Sequence, residues 1–152
     1  MTVKSKKRLW VFAVLKALWL GFIYSNSIKS RASSSAQSKP LEELIRPPLE
    51  AIGVDKNADR VAELLVRKCA HVAEFFVLAV LCILVMRALG KGKKQSLGIA
   101  AVLSVLAAGI DEVLQIFSNR GAALTDVLID SLGVFLAVAA FAMYYKTKKA
   151  AE

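Results

Sequence analysis

The one histidine of the chain, His71, stands three residues after Lys68 and three before Glu74, a spacing that puts the three side chains on neighbouring turns of one helix face. Imidazole titrates near neutral pH, and a nearby carboxylate can orient it, so His71 is the natural general base or nucleophile with Glu74 or another acid beside it. Two more polar groups keep the same helical phase. Asp111 and Gln115 are i and i+4 with Glu112 between them, and Asp126 and Asp130 are again i and i+4. Asp111, Glu112 and Asp126 could hold a proton or a divalent cation. Lys68 and Arg120 suit phosphate, one as a point charge and the other as a bidentate fork. The candidate catalytic residues are thus His71, Glu74, Asp111, Glu112 and Asp126, and the candidate substrate-binding residues are Lys68, Gln115, Arg120, Asp130 and Ser25.

The elements that must position these residues are membrane helices. Of 152 residues 57% are hydrophobic, yet Lys and Arg number 21 against 12 Asp and Glu, a formal charge of +9. The apolar residues fall into blocks of about 16 to 20, where a soluble domain would spread them at helical or strand periods. That excludes a large soluble domain. Four crossings are expected, at residues 9–24, 67–89, 97–117 and 124–145, in one domain spanning residues 1–152. The fold class is an all-α integral membrane four-helix bundle in the plasma membrane.

The positions of the charges set the orientation. Lys4, Lys6, Lys7 and Arg8 precede the first block, Arg87, Lys91, Lys93 and Lys94 lie between the second and third, and Lys146, Lys148 and Lys149 follow the last. Basic clusters at alternate ends of successive blocks follow the positive-inside rule, so both termini are expected in the cytoplasm. Residues 25–66, whose charges balance, are then extracytoplasmic. Within them Pro40 is expected to open a short amphipathic helix carrying Leu41, Leu44 and Ile45, which Pro47 and Pro48 would end. The run 59–66 lacks Gly and Pro and can continue into the second crossing. A cleaved signal peptide is the rival for the first block, and Lys16 inside the apolar stretch argues against it.

With this orientation the polar residues gather at one depth. His71 and Glu74 lie about four and seven residues from the outer end of their crossing, and Asp111 and Asp130 each about six, roughly 6 to 10 Å at helical rise. Ser25, Asn26 and Ser27 leave the first crossing at the same level. Ionisable groups inside a membrane are costly and mark function or mutual pairing, so the layer is expected to line a polar cavity open to the outer surface.

The sequence resembles the VanZ-like family. The resemblance rests on Arg67-Lys68-Cys69-Ala70-His71-Val72-Ala73-Glu74-Phe75, on Asp111-Glu112-Val113-Leu114-Gln115-Ile116-Phe117, on Arg120, and on the stretch from Asp126 to Gly133, and it covers essentially the whole chain. Phe75 stands where the family commonly has Tyr, and Asp130 where it commonly has Asn. The family's namesake is associated with resistance to the glycopeptide teicoplanin, so the resemblance implies a role in glycopeptide tolerance.

Two functional readings follow. In the first, the layer acts on an anionic, lipid-linked head group at the outer leaflet, as a phospholipid or polyprenyl-phosphate head-group transferase or hydrolase. In the second, a non-catalytic membrane protein binds a lipid, a cell-wall precursor or an antibiotic and needs no reactive His71. The expected partners are membrane lipids or lipid-linked cell-wall precursors. A metal version would take His71, Glu74, Asp111 and Glu112 as ligands, a set suiting Mg, Mn or Fe better than structural Zn, but the spacing is not diagnostic and no ligand is assigned. The blandest reading pairs Lys68 and Arg120 with the carboxylates merely to fix helix packing. A transport route should cross the midplane, where only Lys16 lies, and a long Lys can snorkel. Nucleic-acid binding is disfavoured because no basic and aromatic surface lies outside the apolar blocks. No P-loop, dinucleotide fingerprint or serine nucleophile elbow occurs. Cys69 and Cys82 are about 20 Å apart on one helix and cannot bridge each other, and Gly109, Gly121 and Gly133 suit close helix approach or a turn.

Overall fold

The computed structural model describes residues 3–29, 31–54, 57–117 and 124–150, and among these it contains five helices and no strand. They are α1 (Val3–Ile28), α2 (Arg31–Ala51), α3 (Ala58–Ala88), α4 (Lys93–Phe117) and α5 (Leu124–Ala150). α1, α3, α4 and α5 are each long and apolar enough to cross a membrane, with candidate spans of 24, 31, 25 and 24 residues. At 1.5 Å per residue all exceed a hydrocarbon core of about 30 Å, and α3 exceeds it most.

Each crossing helix outlasts its apolar block where polar residues let it. α1 runs on to Ile28, and near its end Ser25 Oγ donates to the Phe22 carbonyl of the preceding turn at 2.8 Å. α3 ends at a turn in which Gly90 takes φ +80°, a left-handed conformation that glycine adopts without a Cβ penalty. The run 59–66 does continue into the second crossing, since α3 begins at Ala58.

α2 departs from the sequence reading. It begins at Arg31, before Pro40, and runs through Pro47 and Pro48 to Ala51, with all three prolines inside it. Pro47 and Pro48 are exposed, so the carbonyls they leave without a helical partner face outward, where water or lipid head groups can satisfy them. Packing supplies the rest. Leu49 is buried at the α3 side, and Arg46 bonds Glu50 at 2.7 Å within α2 and Asp59 at 3.2 Å at the start of α3.

The helix register is fixed by a few contacts. Lys68 with Asp126, His71 with Asp130 and Val72 with Gly133 show that α3 and α5 run parallel at a nearly constant offset. A Cβ on Gly133 would stand 2.1 Å from the Val72 carbonyl oxygen and 2.9 Å from the Phe76 nitrogen, so only glycine permits this backbone approach. Gly109 has no such neighbour within 4 Å. The apolar core of Ile23, Phe75, Leu78, Ile83 and Val134 is filled in with alanines, among them Ala79, Ala100, Ala108 and Ala137. Small residues of this kind let membrane helices approach closely enough for van der Waals packing to hold them. Trp10, Leu18, Val102, Leu106, Leu128 and Phe135 point outward, as lipid-facing side chains do.

Candidate functional site

The polar residues of four helices meet at one end of the bundle. α1 brings Asn26 and Ser27 from its last turns, α3 brings Lys68, His71 and Glu74 from its middle turns, α4 brings Asp111, Glu112 and Gln115 from its end, and α5 brings Asp126 and Asp130 from its start. The exposed basic residues Lys6, Lys7, Arg8, Arg87, Lys91, Lys93, Lys94, Lys146 and Lys148 lie toward the opposite end. Two contacts tie that end together: Ser5 Oγ donates to the Ala88 carbonyl at 3.3 Å, and Lys93 Nζ lies 5.4 Å from the Tyr145 ring centre.

Asp111 is the centre of the layer. It is fully buried, and both carboxylate oxygens accept hydrogen bonds, Oδ1 from Ser27 Oγ at 2.5 Å and Oδ2 from Gln115 Nε2 at 3.0 Å. Gln115 Nε2 also donates to Glu112 Oε1 at 3.0 Å, so one amide serves two carboxylates. Ser27 Oγ is 3.2 Å from the Ile23 carbonyl as well, but one hydroxyl has one proton and the shorter contact is to Asp111.

His71 meets an acid on another helix. Its Nδ1 is 3.5 Å from Oδ1 of Asp130, which is buried, while the His71 side chain keeps 20% of its surface exposed. Glu74, the carboxylate one turn away on the same helix, instead accepts from Asn26 Nδ2 at 3.3 Å, and its backbone carbonyl accepts from the Trp19 indole at 2.9 Å. At the rim Lys68 Nζ donates to Asp126 Oδ1, with both side chains about one third exposed.

The sequence-derived set is therefore gathered in part. His71, Asp111, Glu112, Gln115 and Asp130 form the interior of the layer, Lys68 and Asp126 pair at its edge, and Glu74 sits against α1. Ser25 stays outside it, exposed and bonded to its own helix. Arg120 and Gly121 lie outside the described residues. The α1 contributions come from Asn26 and Ser27, and helical phase could have selected Ser27, which is one turn beyond the buried Ile23. One ligand atom each from His71, Asp111 and Asp130 lies within 4.8 Å of the others. This is a different trio from the four-residue metal set read from sequence, because Glu74 turns to Asn26 and Glu112 to Gln115.

A four-span helical bundle with a polar layer built at one end is the class of protein defined by this fold and site. The chain matches the family model described as VanZ/LLP1 over residues 10–145, and it belongs to that family. The matched segment includes every candidate site residue. No curated protein and no solved structure matches the chain.

Proposed function

We propose that this VanZ/LLP1 member is a plasma-membrane protein that acts on anionic, lipid-linked head groups at the outer leaflet and thereby alters glycopeptide tolerance. The observation that carries the reading is the meeting of a partly exposed imidazole, His71, with the buried Asp130 carboxylate at 3.5 Å. An acid standing beside an imidazole can orient it for general acid–base chemistry. Lys68 stands one turn nearer the rim, where the phosphate of a head group would be met, and Arg120 is the second phosphate ligand of the sequence reading. In this reading the basic end of the bundle is cytoplasmic, both termini are inside, and the partners are membrane lipids or lipid-linked cell-wall precursors.

A second reading, binding of a lipid, precursor or antibiotic without chemistry, is favoured by the pairing of Lys68 with Asp126, which engages one proposed phosphate ligand within the protein itself. The two are separated by comparing teicoplanin susceptibility and the lipid and lipid-linked precursor profile in cells expressing wild type, His71→Ala, His71→Gln and Arg120→Ala at matched levels. An enzyme changes both in the wild type and loses both in His71→Ala. A binder changes susceptibility with an unaltered profile, tolerates His71→Gln and fails in Arg120→Ala. Unchanged susceptibility and profile on wild-type expression would reject both.

A further inference from the structure

Three carboxylates, Asp111, Glu112 and Asp130, are buried together in the layer, at 0, 5 and 1% exposure. Lys68 and Arg67, neighbouring cations of α3 at this end, are engaged by Asp126 and by Glu63 respectively. Carboxylates withdrawn from water need protons or a cation to balance them, and the cost is greatest inside a membrane. Asp111 has a hydrogen-bond donor on each oxygen, and Glu112 has one from Gln115. Asp130 differs: its Oδ2 is buried and accepts no hydrogen bond among the described residues. A buried carboxylate oxygen in that condition is a lone pair directed at something absent from the chain itself.

The geometry points to a divalent cation held by His71, Asp111 and Asp130. One ligand atom from each lies within 4.8 Å of the others. Three donors at about 2.1 to 2.2 Å from one small ion stand about 3 to 4.3 Å from one another, so the trio is already on the scale of one coordination sphere and closes onto an ion by side-chain adjustment. One imidazole with two carboxylates suits a first-row ion such as Mn²⁺ better than Ca²⁺, which prefers oxygen alone, or structural Zn²⁺, which prefers thiolates and several imidazoles. Ser27 and Gln115 already orient both oxygens of Asp111, the supporting role that outer hydrogen bonds play around metal ligands. The packing of Gly133 against Val72 holds Asp130, one turn away on α5, level with His71. The cation compensates the buried charge whether or not head groups are the substrate. If they are, it lies where a phosphate oxygen could be met by an ion as well as by Lys68.

The test is metal binding by the full-length protein in detergent, stripped with a chelator and titrated with MnCl₂ while free Mn²⁺ is followed by electron paramagnetic resonance. About one Mn²⁺ per chain is expected, with a nitrogen coupling from one imidazole in the pulsed spectrum. Asp130→Asn, which keeps the side-chain shape, and His71→Ala are each expected to weaken binding by about tenfold or more, and Gln115→Ala by about tenfold. Glu63→Gln, at the ion pair with Arg67 on α3, leaves it unchanged. Helical content and elution volume establish that each variant is folded; should Asp130→Asn not fold, Asp111→Asn and the wild-type nitrogen coupling decide. The inference is overturned by the absence of saturable binding below about 1 mM, by equal uptake in wild type and the folded Asp variant, or by bound Mn²⁺ without nitrogen coupling. No lipid enters these measurements, so their failure and failure of the head-group reading are read separately.

Discussion

At the scale of single residues, the layer is organised by donors aimed at carboxylates, and small polar side chains on α1 are as important to it as the charged ones. Ser27→Ala removes the donor to Asp111 Oδ1 and leaves a buried acceptor less satisfied, which should cost about 1 to 2 kcal/mol in reversible unfolding in detergent. Ser25→Ala, at an exposed hydroxyl bonded only to its own helix, should leave the midpoint essentially unchanged; equal effects at the two positions would contradict this assignment. Lys68→Ala should cost less than about 1 kcal/mol, because its pair with Asp126 is partly solvated, and a double-mutant cycle with Asp126→Ala measures the coupling. The identities of the polar residues were legible in the sequence, since few charges occur in the apolar blocks. Their partners were not. His71 and Glu74 share a helix face and suggest a pair by spacing alone, but His71 faces Asp130 and Glu74 faces Asn26, because interhelical register decides which side chains meet.

At the scale of elements, the register of α3 and α5 depends on Gly133. A methyl group there would meet the Val72 carbonyl and the Phe76 nitrogen, both backbone atoms that cannot rotate away. Gly133→Ala is therefore expected to lose about 3 kcal/mol of stability and to separate His71 from Asp130. Gly109→Ala, with nothing within 4 Å, should be neutral or gain up to about 1 kcal/mol from helix propensity. Thermal unfolding of the two variants side by side checks the contrast, and similar losses would remove the special role of position 133. The sequence marked both glycines as candidates for close approach and could not choose between them, since the choice requires knowing the facing helix. The crossing helices were legible because a long apolar run has few alternatives in a membrane. α2 was not, because proline rules are local: they mark Pro40 as a start and Pro47 and Pro48 as an end, whereas packing of Leu49 and the link from Arg46 to Asp59 carry the helix through them.

At the scale of the whole molecule, an even number of spans and the meeting of helix ends place both termini at one end of the bundle. That end carries the exposed lysines and arginines of three separate segments, while the opposite end carries the polar layer and α2, where three acids balance three bases. Basic segments next to membrane helices are retained in the cytoplasm, so the polar layer should face outward. This orientation can be tested with single cysteines placed in a Cys69→Ala, Cys82→Ala background. Asn57→Cys, in the exposed turn before α3, should react with a membrane-impermeant maleimide in intact cells, and Lys148→Cys, exposed near the end of α5, only after the membrane is opened. The reverse pattern would put the polar layer in the inner leaflet and make an external head group or antibiotic inaccessible to it. Because Lys148 itself contributes to the basic bias, Thr147→Cys, exposed one residue earlier with the lysines intact, must report the same side. A difference between these two would show that one charge decides the insertion, and agreement would show that the bias is shared among the three clusters.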